Sequence, residues 1–167
     1  FKLKSLQAQL LGGDANLEGG LSFAANEAQS PLQLKIKGEL TADGLRQAKE
    51  LGFVARLAQR AKGKSEYSAT LGLRRGEPEL LISSNLKGMA LSLPAPLTKA
   101  AATALPLRIE TQLTRESLQP KSRVLQDQIK VTLDRMASVT YVRDLTGPRP
   151  RVLRGGISVG AAVVDNV

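Results

Sequence analysis

Hydrophobic and polar positions alternate along most of this chain. Leu6, Ala8 and Leu10 share one phase, with Gln7 and Gln9 on the other. Gly12-Gly13-Asp14 is a turn signal, after which Ala15, Leu17 and Gly19 read as a return strand that Gly19-Gly20 ends. Leu21-Ser22-Phe23 starts another strand, and Asn26 to Pro31 is a polar turn. The clearest alternation follows: Leu32, Leu34 and Ile36 face one side, and Gln33, Lys35 and Lys37 the other.

The period then lengthens to that of a helix, expected over residues 43–62. Thr41 is a suitable N-cap, Asp43 suits the positive end of the dipole, and Gly63 suits the residue after the last turn. Ala48, Leu51, Val54, Ala55, Ala58 and Ala61 gather on one face of that helix, and Gly52 is a candidate kink.

Past the helix the period returns to two. Tyr67, Ala69, Leu71 and Leu73 alternate, and Arg75-Gly76-Glu77-Pro78 is a hairpin turn. Strands follow around Leu80 to Leu86, Met89 to Leu93, Leu105 to Leu113, Ile129 to Leu133, Ala137 to Tyr141 and Val152 to Val159. Leu97 to Ala104 and Asp144 to Pro150 read as loops. Short connections between consecutive strands imply antiparallel pairing. The expected fold is mainly β with one helix: antiparallel β meanders form a curved or layered sheet, and helix 43–62 packs against it. No internal boundary divides residues 1–167. The chain begins as if inside a strand, so it reads as a single β-rich segment excised from a longer protein.

Composition narrows the chemistry. The 167 residues include no His and no Cys, which removes the commonest general base, the thiolate nucleophile and the usual zinc ligands. Glu77, Glu79, Asp127 and Asp134 form no acid/base pair by spacing and read as solvated surface carboxylates. Gly12-Gly13, Gly19-Gly20 and Gly155-Gly156 lack the strand-to-helix setting of a phosphate loop and read as turns. The expectation is therefore no enzymatic activity, no cofactor and no metal.

A net charge of +9 points to anionic partners. Arg46, Lys49, Arg56 and Arg60 lie on one face of the expected helix and are candidates for an anionic membrane surface. Its modest, Ala-rich apolar side favours packing on a sheet. Arg143, Arg149, Arg151 and Arg154 form a second basic cluster, with only Tyr141 nearby to stack on a base, so nucleic acid is not the expected partner.

A resemblance adds to this reading. Leu10-Leu11-Gly12-Gly13-Asp14-Ala15-Asn16-Leu17-Glu18-Gly19 is similar to a strand–GG–strand element of AsmA-like envelope proteins. With Gly44-Leu45-Arg46-Gln47-Ala48, Phe53-Val54-Ala55-Arg56-Leu57, the run Ser84 to Leu97, Ala104-Leu105-Pro106-Leu107-Arg108 and Val152-Leu153-Arg154-Gly155-Gly156-Ile157, in that order, most of the chain resembles the YhdP-type members of that family. The resemblance implies a long protein anchored in the inner membrane of a Gram-negative bacterium and extending through the periplasm. It implies involvement in phospholipid delivery to the outer membrane and in its permeability barrier, with an apolar sheet groove meeting acyl chains. It carries no catalytic residues. Leu32, Leu34, Ile36, Leu71, Leu73, Leu107 and Ile109 are the lipid-groove candidates, because each sits on the apolar phase of a clear alternation. From sequence, the same face serves equally as a closed core. The alternative function is a structural or protein-interaction segment that binds no lipid.

Overall fold

The computed structural model describes residues 2–21, 32–49, 52–95 and 97–160. The expected strand start at Leu21-Ser22-Phe23 lies largely outside these residues, as do the turn 26–31 and the helix position Leu51.

Alternation becomes sheet. Ten antiparallel strands form one open sheet. They are β1 (Lys2–Leu10), β2 (Gly13–Leu21), β3 (Leu32–Thr41), β4 (Ala61–Arg74), β5 (Glu77–Ser84), β6 (Met89–Leu91), β7 (Leu107–Leu113), β8 (Gln126–Leu133), β9 (Ala137–Asp144) and β10 (Arg151–Val159). Neighbours in the sheet are neighbours in sequence, except that β6 leaves the path to pair with the first residues of β4, so β5 pairs with β7. Short connections force this meander, since antiparallel strands need only a tight turn between them.

Cross-strand register sorts the side chains onto two faces. Leu6, Leu17, Ile36, Ala69 and Ile82 are successive partners, and the row continues through Ile109, Val131 and Val139 to Ile157. Every strand on the main path gives this row one aliphatic residue and no charge. Its inner members, Ile36 to Val139, are buried. Burying one such side chain contributes about 1.5–3 kcal/mol.

The helical cover is shorter than expected. The single helix over 43–62 is replaced by α1 (Ala42–Gln47), α2 (Phe53–Leu57) and a 3-10 turn (Ala58–Arg60), after which Ala61 already belongs to β4. Thr41 does cap α1, its Oγ1 accepting from the Gly44 N–H at 3.0 Å. Gly52 breaks the run: its φ is +52°, and a Cβ there would sit 2.8 Å from the Tyr141 hydroxyl on β9. Gly63 ends no helix, because it pairs with Met89 of β6. Leu45, Val54 and Ala58 pack with Met89, Leu91, Leu107 and Leu133 around a residual space of about 30 Å³. Arg46 fastens this layer, donating to the carbonyls of Ala58 at 3.1 Å and Ala61 at 3.2 Å and pairing with Asp43.

Two glycine pairs expected at turns lie inside strands, Gly19-Gly20 in β2 and Gly155-Gly156 in β10. At Gly19 the pairing with β3 is too close for a side chain: a Cβ would lie 2.1 Å from the Gln33 carbonyl oxygen.

The break at Gly52 is testable. Gly52→Ala is expected to lower stability by about 1–2 kcal/mol, through a strained left-handed backbone and a collision with Tyr141. The urea midpoint reads this directly, and a gain in stability would mean that α1 and α2 prefer to fuse.

Candidate functional site

The two faces differ in chemistry and in cover. On the polar face, Gln7, Asn16, Lys37 and Ser68 are successive cross-strand partners, continued by Ser83, Arg108 and Thr132. This row floors an open hollow of about 1320 Å³. Asp14, Glu39 and Glu66 stand along it; Glu39 pairs with Lys64 at 3.1 Å, and Arg108 with Glu110 at 2.9 Å. A second hollow of about 470 Å³ is bordered by Gln33, Lys35, Thr70, Glu79 and Gln112, again from the polar phase. Leu34, Leu71 and Leu80 also border this second hollow, as does Leu81 from the polar phase.

On the aliphatic face the cover is uneven. Of the groove candidates, Ile36, Leu107 and Ile109 are buried in the core with helix residues Leu45 and Val54. Leu32, Leu34, Leu71 and Leu73 are half-buried. Leu34 pairs with Leu71, and Leu71 with Leu80, which is also half-buried, so these lie together as an aliphatic strip one row beyond Ile36 and Ala69. The seven candidates thus share one face but divide between its closed and its less covered parts.

The basic candidates divide as well. Lys49, Arg56 and Arg60 are exposed, whereas Arg46 is engaged with its own helix layer. In the second cluster Arg149, Arg151 and Arg154 are exposed. Arg143 instead donates to Asp127 through Nε at 2.9 Å and Nη2 at 2.5 Å. This corrects the surface reading of Asp127, which is only 4% exposed. The two residues are cross-strand partners on the aliphatic phase, where a charge stays ionised only if paired. The hydrogen bond to Asp127 holds the Arg143 guanidinium pKa above its ordinary value.

Two buried polar groups had no signal in the sequence. The Lys99 ammonium is buried and donates to the carbonyls of Met89 at 2.5 Å and Ala100 at 3.0 Å, pinning its own stretch of chain beside β6; burial pulls its pKa down. The Tyr67 hydroxyl is buried with no hydrogen-bond partner, and burial pushes its pKa up. Among the described residues no cluster of three or more carboxylates could hold a metal ion, and no helix is long and apolar enough to cross a membrane.

Fold and faces together define an open β-meander protein, aliphatic on one side of its sheet and polar on the other. The chain belongs to the YhdP family: that family's sequence model, described as YhdP protein, matches residues 1–166. The family sits among the AsmA-like bridge proteins, which makes this a bacterial envelope protein. No curated protein and no solved structure matches it.

The orphaned hydroxyl gives a prediction with a pH sign. Tyr67→Phe removes a buried donor without a partner, so stability at neutral pH is expected to hold or to rise by about 1 kcal/mol. The raised folded-state pKa means that the native state keeps its proton longer than the unfolded chain. The stability linked to this is fully present below pH 10.0, the ordinary tyrosine value, and is lost as pH climbs through the folded value. Denaturant midpoints measured from pH 8 upward are expected to fall less steeply in the Phe variant. An unchanged alkaline slope would show that Tyr67 is not the group that titrates.

Proposed function

We propose that this chain is a non-enzymatic segment of a longer, inner-membrane-anchored periplasmic protein of a Gram-negative bacterium. In this reading its aliphatic sheet face guides phospholipid acyl chains toward the outer membrane and so maintains the permeability barrier. The observation that carries the reading is the uninterrupted aliphatic row from Leu6 to Ile157, crossing every strand on the main path without a charge. Acyl chains need continuous apolar surface, and a sheet in which each strand supplies one aliphatic residue per row gives it. The half-buried Leu34–Leu71–Leu80 strip is less covered than the neighbouring row through Ile36 and Ala69. Lys49, Arg56 and Arg60 are exposed on the helix layer and suit anionic headgroups. Nucleic acid is not the partner in this reading.

The polar floor of the 1320 Å³ hollow favours a second reading. In it, the segment joins envelope proteins through its polar face and binds no lipid. Mass spectrometry of lipid co-purifying with the chain separates the two.

Paired substitutions test the first reading. Leu34→Lys places a charge on a half-buried position from which a lysine stem can reach water. The fold is expected to survive with its melting temperature nearly unchanged, while crosslinking to a photoactivatable phospholipid is lost. Ile109→Lys buries an unpaired charge and is expected to cost about 3–5 kcal/mol, enough to unfold a marginal domain. Undiminished crosslinking in a folded Leu34→Lys variant would remove the strip from the conduit.

A further inference from the structure

The geometry points to the outer face of the β4–β6 corner as a docking surface for an anionic phospholipid bilayer. The inference rests on the reading that exposed cations of this chain meet anionic headgroups, and it does not need the acyl conduit. The corner is a small sheet of its own. The first residues of β4 pair with β6, Ala61 with Leu91 and Lys62 with Ala90. β6 pairs in turn with the chain around Lys99, Leu91 and Lys99 exchanging backbone bonds of 2.9 and 3.0 Å. Antiparallel register then sets Ala100 beside Ala90 and Thr98 beside Ser92.

The two faces of this corner have opposite compositions. Ala61, Met89, Leu91 and Lys99 are buried on the inner side. On the outer side Arg60, just before β4, and Lys62, within it, are exposed, as are Ser92, Thr98 and Ala100 beyond them. Lys64, the next cation on β4, pairs with Glu39. Arg60, Lys62 and Lys87 make no ion pair among the described residues. Lys87 stands close by, since the Gly88 carbonyl accepts from the Lys64 N–H at 3.3 Å. Along β4 the first carboxylate is Glu66, beyond Lys64, where it stands opposite Glu39. No carboxylate occurs between residues 80 and 109. The Lys99 ammonium is turned inward onto carbonyl groups. Cations thus line one side of a patch of small neutral side chains.

The tip of the corner favours a bilayer over an acidic protein. The chain leaves β6 and turns back through Leu93, Pro94, Ala95 and Leu97, the Leu97 N–H donating to the Pro94 carbonyl at 3.0 Å. Pro94 and Ala95 are exposed, and Leu93 and Leu97 are half-buried. No charged residue lies between Leu91 and Lys99. The tip is tied to the cations directly, the Ser92 N–H donating to the Arg60 carbonyl at 2.8 Å. An acidic polypeptide would satisfy the cations and leave this tip bare. A bilayer meets both: its phosphate groups take Arg60 and Lys62, and the apolar tip enters the interface beside them.

The test uses the whole chain with three probes. These are vesicles of phosphatidylcholine, vesicles of equal phosphatidylglycerol and phosphatidylcholine, and poly-glutamate. The sequence has no Trp, so Ala95→Trp gives a single fluorescent reporter at the tip. Its emission is expected to shift to shorter wavelength with the anionic vesicles and with neither other probe. Co-sedimentation with the anionic vesicles is expected to vanish in about 1 M salt, where screening acts within about 3 Å. Arg60→Glu with Lys62→Glu, both at exposed positions, is expected to keep the melting temperature and to weaken binding about thirtyfold or more, at roughly fivefold for each cation lost. Lys87→Glu alone is expected to weaken it about fivefold or more. No binding to the anionic vesicles, equal binding to phosphatidylcholine, or binding that the folded charge variants leave unchanged would overturn the proposal. An unshifted reporter on bound vesicles, or tighter capture of poly-glutamate than of vesicles, would give the surface to an acidic protein and overturn it as well. The conduit is read separately. Leu34→Lys is expected to keep vesicle binding while losing acyl crosslinking, and the charge variants to keep crosslinking to detergent-dispersed phospholipid while losing vesicle binding.

Discussion

Register is the constraint on which this structure depends. The aliphatic row from Leu17 to Val139 exists only because each turn brings the next strand back in phase. A slip of one residue anywhere would send Ile82 or Ile109 to the polar side and Ser83 or Arg108 into the core. The turns are therefore supported from outside. Arg75, at the β4–β5 turn with a φ of +52°, donates to the carbonyls of Ser117, Ser122 and Val124 in the β7–β8 connection. Thr41 takes a backbone bond from its N–H to the Leu11 carbonyl at 3.0 Å, joining the end of β3 to the β1–β2 turn. Long-range ties of this kind hold in phase a sheet whose local turns alone would allow more than one pairing.

What was legible in the sequence follows from the same geometry. Period-two alternation is a local property, so most strands and their apolar phases can be read directly, and Pro106 correctly precedes β7. The helix was legible in its start at Thr41 and not in its length. The residues around Gly52 keep a helical hydrophobic pattern, and no local window shows that Gly52 takes a φ of +52° or that the Tyr141 hydroxyl, about ninety positions away in the chain, stands where its Cβ would be. Asp127 misled for a similar reason. Its neighbours in sequence are polar, and only the β8–β9 register shows that Arg143 stands opposite. The glycine pairs in β2 and β10 carry the composition of turns; close approach to β3 explains Gly19, a relation between strands that no local window contains. For the site, the apolar phase was legible residue by residue, whereas the division of that phase into a closed core and a half-buried strip was not. That division is set by where two short helices come to rest.

The shortness of the helix layer matters for function. In place of an expected twenty-residue cover, the broken helix run is a compact cap over Leu107 and Leu133, and Leu34, Leu71 and Leu80, two rows further along the sheet, are half-buried. A longer straight helix would have covered more of that face. The aliphatic face thus has a sealed part, which supplies folding energy, and a half-buried part that is less covered. Charge is excluded from the half-buried strip itself and is paired where it enters the aliphatic phase, at Asp127 and Arg143. Such pairing keeps a buried arginine from becoming an unsatisfied charge beside an apolar surface.

The two edges complete this logic. An open sheet without closure leaves backbone groups unpaired at both ends, a hazard that proteins manage with charge, bulges and bends. Here β1 and β10 each have a register shift near one end of their ladder, between Leu3 and Leu6 and between Val152 and Arg154. Both edges are also basic. Those devices hinder indiscriminate pairing between copies, but they do not hide Leu6, at 49% exposure, or the β-branched residues of β10. Aliphatic residues persist from β1 to β10, so the apolar phase follows the pleat of every strand on the main path rather than the reach of the helix layer.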